Sequence, residues 1–216
     1  MPDDNPEGKQ SRPPTDDELR LLWTLAPNQL PAQHVHLLRL AFLLGKRVSE
    51  MLGALKTEVN LGKHADWFIP GARGGNKSGE DQRVPLPQTA VLILHEQIEQ
   101  AGDSRFVFPG KRFGSLAMGR HAPSMAFTRF RRSIGIEAHV RLHDARGLIS
   151  DQMAKIGVQS EYRSHVLHHT GDTRASLANS VYSTYGYEPQ KRRALELWER
   201  RLLEIVEGRH SSGERW

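Results

Sequence analysis

Apolar and polar residues alternate along this chain in patterns that change character several times. Thr15-Asp16-Asp17-Glu18 places Glu three residues after Thr, a capping box that predicts a helix through Leu21, Leu22 and Leu25. Residues 33–44, rich in Leu and carrying Ala41 and Phe42, read as a buried helix. Gly45 interrupts it, and a second short helix is expected at about 47–55. Three short runs then suit strands: Glu58-Val59-Asn60-Leu61, Asp66-Trp67-Phe68-Ile69-Pro70 and Gln82-Arg83-Val84-Pro85-Leu86. They predict a small three-stranded antiparallel sheet, with Pro85 on an edge strand or at a strand end. Beyond it the pattern turns helical again, over 88–101, then over 122–134 with Met125, Phe127 and Phe130 set among bases. Residues 143–156 repeat Ala145, Leu148, Ile149, Met153 and Ile156 at helical spacing, and Gly157 is the natural stop. Shorter helices are expected at 160–167 and 173–184. A last one over 188–206 carries Leu195, Trp198, Leu202 and Val206 on one face. Residues 1–14 are polar and contain Pro, as in a linker or a disordered segment.

Composition narrows the class. A chain of 216 residues can bury one sizeable core. No apolar run exceeds five residues, Leu40–Leu44 being one such run, which is far too short to span a bilayer. Residues 1–19 are acidic and lack the apolar block of a signal peptide. With no cysteine, disulfides, thiol catalysis and thiolate zinc sites are excluded. The net charge of +5 is modest, but its distribution is uneven. Residues 1–30 carry six acids and three bases, whereas residues 103–146 carry nine bases and three acids. Such a basic stretch suits either a solvated face or a polyanion such as DNA, with Arg120, Arg129, Arg131 and Arg132 as its candidate contacts.

Several short motifs could carry chemistry. In Leu142-His143-Asp144-Ala145-Arg146, His143 and Arg146 are three residues apart and would share a helix face. A guanidinium grips two phosphate oxygens, and an imidazole adds a hydrogen bond or moves a proton. The alternative is an ordinary surface pair. Arg47 follows a buried helix and a Gly break, with Glu50 placed to orient it or merely to form a surface ion pair. Arg73-Gly74-Gly75-Asn76-Lys77-Ser78-Gly79 reads as a flexible turn whose Lys77 could reach a phosphate; it lacks the spacing of a P-loop. His168-His169 and the isolated His34 and His36 lack the spacing of a metal site. Tyr182, Tyr185 and Tyr187 could be packing aromatics, and a tyrosine becomes a nucleophile only where cations stabilise its oxyanion.

The order of these pieces is more specific than any one of them. An Arg, a hairpin Lys, His-x-x-Arg, Leu-x-His and then Tyr resembles the signature series of the tyrosine recombinases, the phage integrase family. Gly45, Arg47 and Glu50 match its first motif, and Lys77 followed by Arg83-Val84-Pro85-Leu86 matches its second. Phe106-Val107-Phe108-Pro109, His143 with Arg146, His169, Tyr182 and Arg192-Arg193-Ala194-Leu195 with Trp198 follow in the family's order over roughly residues 15–206. Leu44, Ala145 and His168 depart from the commonest residues, Gly or Asn being frequent at the last. The long interval between His169 and Tyr182 makes Tyr185 a rival nucleophile.

The resemblance implies an α+β, mainly helical fold. Residues 15–210 would form the catalytic domain, and the family's N-terminal DNA-clamping domain is not visible in these residues. It implies a site-specific recombinase or integrase that cleaves and rejoins DNA through a 3′-phosphotyrosyl intermediate, with no cofactor, ATP or metal. The implied catalytic set is Arg47, Lys77, His143, Arg146, His169 and Tyr182. The implied partners are double-stranded DNA recombination sites and other copies of the chain, as a tetramer on DNA. The implied location is the cytoplasm, for a bacterial or phage-encoded protein acting on the chromosome. A type IB topoisomerase-like enzyme shares this chemistry, and a non-catalytic DNA-binding module is the alternative from another class. A metal-dependent hydrolase would need a carboxylate cluster that the chain lacks. The apolar face of 188–206 suits either a link between protomers or a core helix.

Overall fold

A computed structural model describes residues 11–72, 79–110, 116–136, 140–168, 187–209 and 216. Helix α1 (Asp16–Gln29) begins at the expected capping box, in which Thr15 Oγ accepts from the Glu18 backbone N–H at 3.2 Å. The Glu18 carboxylate accepts in return from the Thr15 N–H at 2.8 Å. Leu19, Leu22, Trp23 and Ala26 form its buried stripe. Helix α2 (Ala32–Leu44) is buried on nearly every side from Val35 onward and is the axis of the core. A helix apolar all round must be enclosed, and α2 is flanked by α1, by α4 (Gln88–Gln100), by α6 (Ala145–Lys155) and by the C-terminal helix α8 (Glu188–Glu207).

After the turn at Gly45 comes the short α3 (Val48–Leu52), followed by the sheet. Its strands, β1 (Val59–Asn60), β2 (Asp66–Ile69) and β3 (Gln82–Pro85), pair antiparallel in that order, with Trp67 opposite Val84 and Ile69 opposite Gln82. Trp67, Ile69 and Val84 face the core, while Arg83 on the other face pairs with Asp66 at 2.6 Å. Pro85 closes an edge strand, where its missing N–H costs nothing. Val107 and Phe108 are buried, and residues 105–107 bond back to the stretch after α3, through Lys56 N to Arg105 O at 2.9 Å and Val107 N to Ala54 O at 2.9 Å.

Among the described residues the remaining elements are the 3-10 turns Lys56–Glu58 and Leu142–Asp144, α5 (His121–Ser133) and α7 (Ser160–Leu167). Helix α8 packs against α1, α2, α6, α7 and β3. Its Leu195, Trp198 and Leu202 are fully buried, and the Trp198 indole donates to the Phe42 carbonyl at 2.9 Å. The apolar face that could have linked protomers therefore serves the core of its own chain. Residues 11–14 lie against the domain: Arg12 pairs with Glu18 at 2.6 Å, and Ser11 donates to the Asp144 carboxylate. Among the described residues no helix is long and apolar enough to cross a membrane.

Candidate active site

The site is organised by the turn that ends α2. Gly45 sits in the left-handed region at φ +61°. A Cβ there would stand 2.6 Å from Leu167 Cδ2 and 3.1 Å from Ile149 Cδ1. Only glycine satisfies both demands, and its lack of a side chain lets the ends of α2 and α7 approach with α6 beside them. Arg47 then caps α3. The Glu50 carboxylate accepts from the Arg47 backbone N–H at 2.9 Å with one oxygen and from its guanidinium at 2.9 Å with the other. Glu50 is 0% exposed.

Arg146 reaches the same turn from the start of α6. Its guanidinium donates to the Gly45 carbonyl at 2.5 Å, across 101 residues of sequence, and to the Leu167 carbonyl at 2.6 Å. The spacing alone leaves open an ordinary surface pair with His143, yet Arg146 is 6% exposed. The cause is local. The Asp144 carboxylate accepts from the Arg141 N–H at 2.7 Å and closes a 3-10 turn before α6 begins. His143 stands exposed on that turn, while Arg146 points inward from the following helix. Burial, and after it the charge of Arg47, lowers the Arg146 guanidinium to about 10, against the opposing pull of Glu50. It remains protonated at neutral pH. Among the described residues it makes no ion pair and donates to neutral carbonyls.

Two further polar residues join this cluster, and sequence patterning singled out neither. Lys46, 4% exposed, donates to the Val166 carbonyl at 2.5 Å and to Gln82 Oε1 at 3.1 Å. The Gln82 amide in turn donates to Glu50 Oε1 at 3.4 Å. Burial is the largest influence on the Lys46 ammonium and lowers it to about 7; Glu50 opposes this, while Arg146, Lys191 and Arg47 reinforce it. The available signal was a lysine set inside the Gly45–Arg47 motif, between two buried helices. Lys191 of α8 donates to the Arg83 carbonyl at 2.8 Å and Arg192 to that of Ala65 at 3.0 Å, so α8 pins the sheet beside the site.

His168 caps α7 with φ 52°, a left-handed conformation that explains why Gly or Asn suits this position. Its ring faces Glu80 at 3.7 Å. Lys77, His169, Tyr182 and Tyr185 lie outside the described residues, as does the helix expected over 173–184. The structure thus brings together Arg47 and Arg146, with His143 at the neighbouring surface. On α5, Arg129 and Arg132 are exposed, as is Arg120 just before it. Arg131 is not: it is 3% exposed and donates to the Ile136 carbonyl at 2.9 Å, so the expectation that it faces DNA is corrected. His36 is a structural histidine, its ring bonded to Gln97 Oε1 at 2.9 Å inside the core. Among the described residues no group of three or more His, Asp or Glu is placed to hold a metal ion.

The family model described as Phage integrase family matches residues 14–176. No curated relative matches the chain on sequence. Among solved structures, the integrase from mycobacterium phage Brujita matches with a TM-score of 0.65 at 18% identity, over 92% of this chain and 64% of that one. The lambda integrase catalytic core matches with a TM-score of 0.58 at 20% identity, over 76% of this chain and 95% of the core. XerA recombinase matches with a TM-score of 0.61 at 14% identity, over 82% of this chain and 68% of that one. Against the Brujita integrase and a lambda integrase dimer of residues 75–356, the chain spans 64% and 61% of their length. At these identities the likeness shows a common fold, that of the tyrosine recombinase catalytic domain. With the family model matching most of its length, the chain belongs to the phage integrase family.

Proposed function

We propose that the chain is the catalytic part of a site-specific DNA recombinase that cleaves and rejoins strands through a 3′-phosphotyrosyl link, without ATP or metal. One observation carries this reading: Arg47 and Arg146, distant in sequence, converge on the turn at Gly45, where the charge of one disfavours the charge of the other. An anion placed between them relieves that repulsion, and a phosphodiester fits the geometry of two guanidinia. Arg146 uses two of its five N–H donors on the Gly45 and Leu167 carbonyls, leaving others for phosphate oxygens.

In this mechanism Tyr182 Oη forms a bond to the phosphorus as the bond to the 5′ oxygen breaks. Lys77 delivers a proton to that leaving oxygen, and His143 assists proton transfer or binds the phosphate. His169 hydrogen-bonds to the phosphate. Arg47 and Arg146 hold the non-bridging oxygens and offset charge in the transition state. A 5′-hydroxyl from another strand then attacks the phosphotyrosine, releasing Tyr182. Each step breaks one phosphoester bond and forms one, so no energy source is needed. A lambda integrase tetramer is bound to a Holliday junction in one matching structure. The same assembly on paired duplex sites, in the cytoplasm of a bacterial host, belongs to this proposal.

The test is covalent capture. The chain is mixed, in EDTA, with a pool of nicked suicide duplexes whose central segment is randomised, and denatured. The expected result is a DNA-linked band, lowered about 10²–10³-fold by Arg47→Ala or Arg146→Ala. A wild-type chain that leaves the whole pool uncleaved contradicts the reading.

A further inference from the structure

Lys46 is a buried cation to which the mechanism above gives no part. Lys46 lies between Gly45 and Arg47, and its ammonium is enclosed by two oxygens, Val166 O at 2.5 Å and Gln82 Oε1 at 3.1 Å. The last carbonyls of a helix lack intrahelical partners and carry partial negative charge. At the end of α7 two such carbonyls are taken by cations from elsewhere in the chain: Val166 O by Lys46 and Leu167 O by Arg146. Helix α7 thus stops against the same turn that presents Arg47. The next residue, His168, turns the chain through a left-handed conformation, and His169 follows.

We propose that Lys46 is a positioning residue for strand cleavage: by holding the Val166 carbonyl and the Gln82 side chain together, it fixes the point from which the chain leaves α7 towards His169, relative to Arg47 and Arg146. This rests on the recombinase reading above. Lys46 is too enclosed to touch DNA itself, so it acts through its neighbours. Among the described residues, the charged and titratable groups that face it are Glu50 from α3, Arg47 before that helix, Arg146 from α6, Lys191 from α8 and His168 at the end of α7. Glu50 also orients Arg47, through one oxygen that Gln82 shares. Losing the ammonium would loosen the tie between Arg47's support and the end of α7.

The chain has no cysteine, which permits a single-site chemical test. Lys46→Cys is alkylated in denaturant either with bromoethylamine, which rebuilds a lysine-like amine, or with bromopropane, which fills the same space without charge. Both products are refolded, checked by circular dichroism, and assayed on the duplex captured from the randomised pool. The propylated chain is expected to cleave about 10–100-fold more slowly, with DNA affinity within about twofold, since small misplacements of reacting groups cost rates of this order. The aminoethylated chain should recover to within about threefold. Equal rates for the two products overturn the proposal, as does a propylated chain that loses DNA affinity as much as rate. Should the cysteine variant not refold, Gln82→Leu carries the test: it should slow cleavage without changing affinity, and an unchanged rate overturns the proposal. Failure of the recombinase reading is distinct, because the unmodified wild-type chain would then form no adduct, and this proposal would fall with it.

Discussion

Glu50 holds Arg47 at two points, the backbone N–H with one carboxylate oxygen and the guanidinium with the other, each at 2.9 Å. The carboxylate is buried, so it serves both as the cap of α3 and as the counter-charge of a catalytic candidate. Removing the carboxylate leaves the partly buried guanidinium and the backbone N–H of Arg47 without their acceptor, at a cost of about 1–3 kcal/mol. Glu50→Ala is therefore expected to lower the urea-unfolding free energy by about that amount. Glu50→Gln, which can still hydrogen-bond, should lose less. Equal stability of Glu50→Ala and wild type would show that the pair contributes nothing.

Gly45→Ala addresses the close approach beneath that pair. The left-handed backbone costs a residue with a Cβ about 1–2 kcal/mol. The contact with Leu167 Cδ2 at 2.6 Å adds overpacking, typically about 1–3 kcal/mol. A clear fall in melting temperature is expected, accompanied by a lower rate of DNA cleavage because the ends of α2 and α7 must part. A variant that melts with the wild type contradicts this account of the turn.

His168 gives the chain a pH dependence. Burial, and after it the charge of Lys46, lowers its imidazole to about 4. An unfolded histidine titrates at about 6.5. Between these values the unfolded chain binds the proton that the folded chain refuses. The contribution of His168 is therefore fully present above about 6.5 and is lost as pH falls towards 4. Urea midpoints at about pH 7 and about pH 5 should show the decline. His168→Asn should flatten it, because Asn accepts the left-handed conformation and does not titrate. An identical decline in His168→Asn would assign it to other groups.

Much of this was legible in the sequence, and what was not has a common cause. Helical and strand periods report local geometry, so the Thr15 capping box, the three strands and the buried α2 stand where the pattern places them. The Arg47–Glu50 pair was legible too, because its partners are one helical turn apart. Pairings across the chain leave no such trace. The spacing around Arg146 does not show that it is buried; the carbonyls of Gly45 and Leu167 supply its partners. Lys46 is hidden in the same way, by the end of a helix that begins more than a hundred residues later. The apolar face of α8 was visible, but its use within its own chain was settled only by packing against α2 and its neighbours.

Arg131 shows the same limit on the basic stretch. If Arg120, Arg129 and Arg132 bind phosphates, replacing each with Ala should reduce the log–log salt dependence of DNA affinity by about 0.9 for every phosphate no longer neutralised. Arg131→Ala should leave that slope unchanged. It should instead destabilise the fold by about 1–3 kcal/mol, since the Ile136 carbonyl is deprived of its donor. A slope that falls with Arg131→Ala and not with the exposed arginines would reverse this assignment.

If the cations gathered at Gly45 serve a tyrosine nucleophile, peptide mapping of the covalent adduct will identify it. The adduct formed in EDTA on a nicked suicide duplex is digested with protease and nuclease, and the modified peptide is sequenced by mass spectrometry. A nucleotide attached to Tyr182, absent in Tyr182→Phe and strongly reduced in Arg146→Ala, is the predicted result. Attachment at Tyr185 would move the nucleophile, and attachment at a serine, or an adduct indifferent to Arg47 and Arg146, would contradict the mechanism.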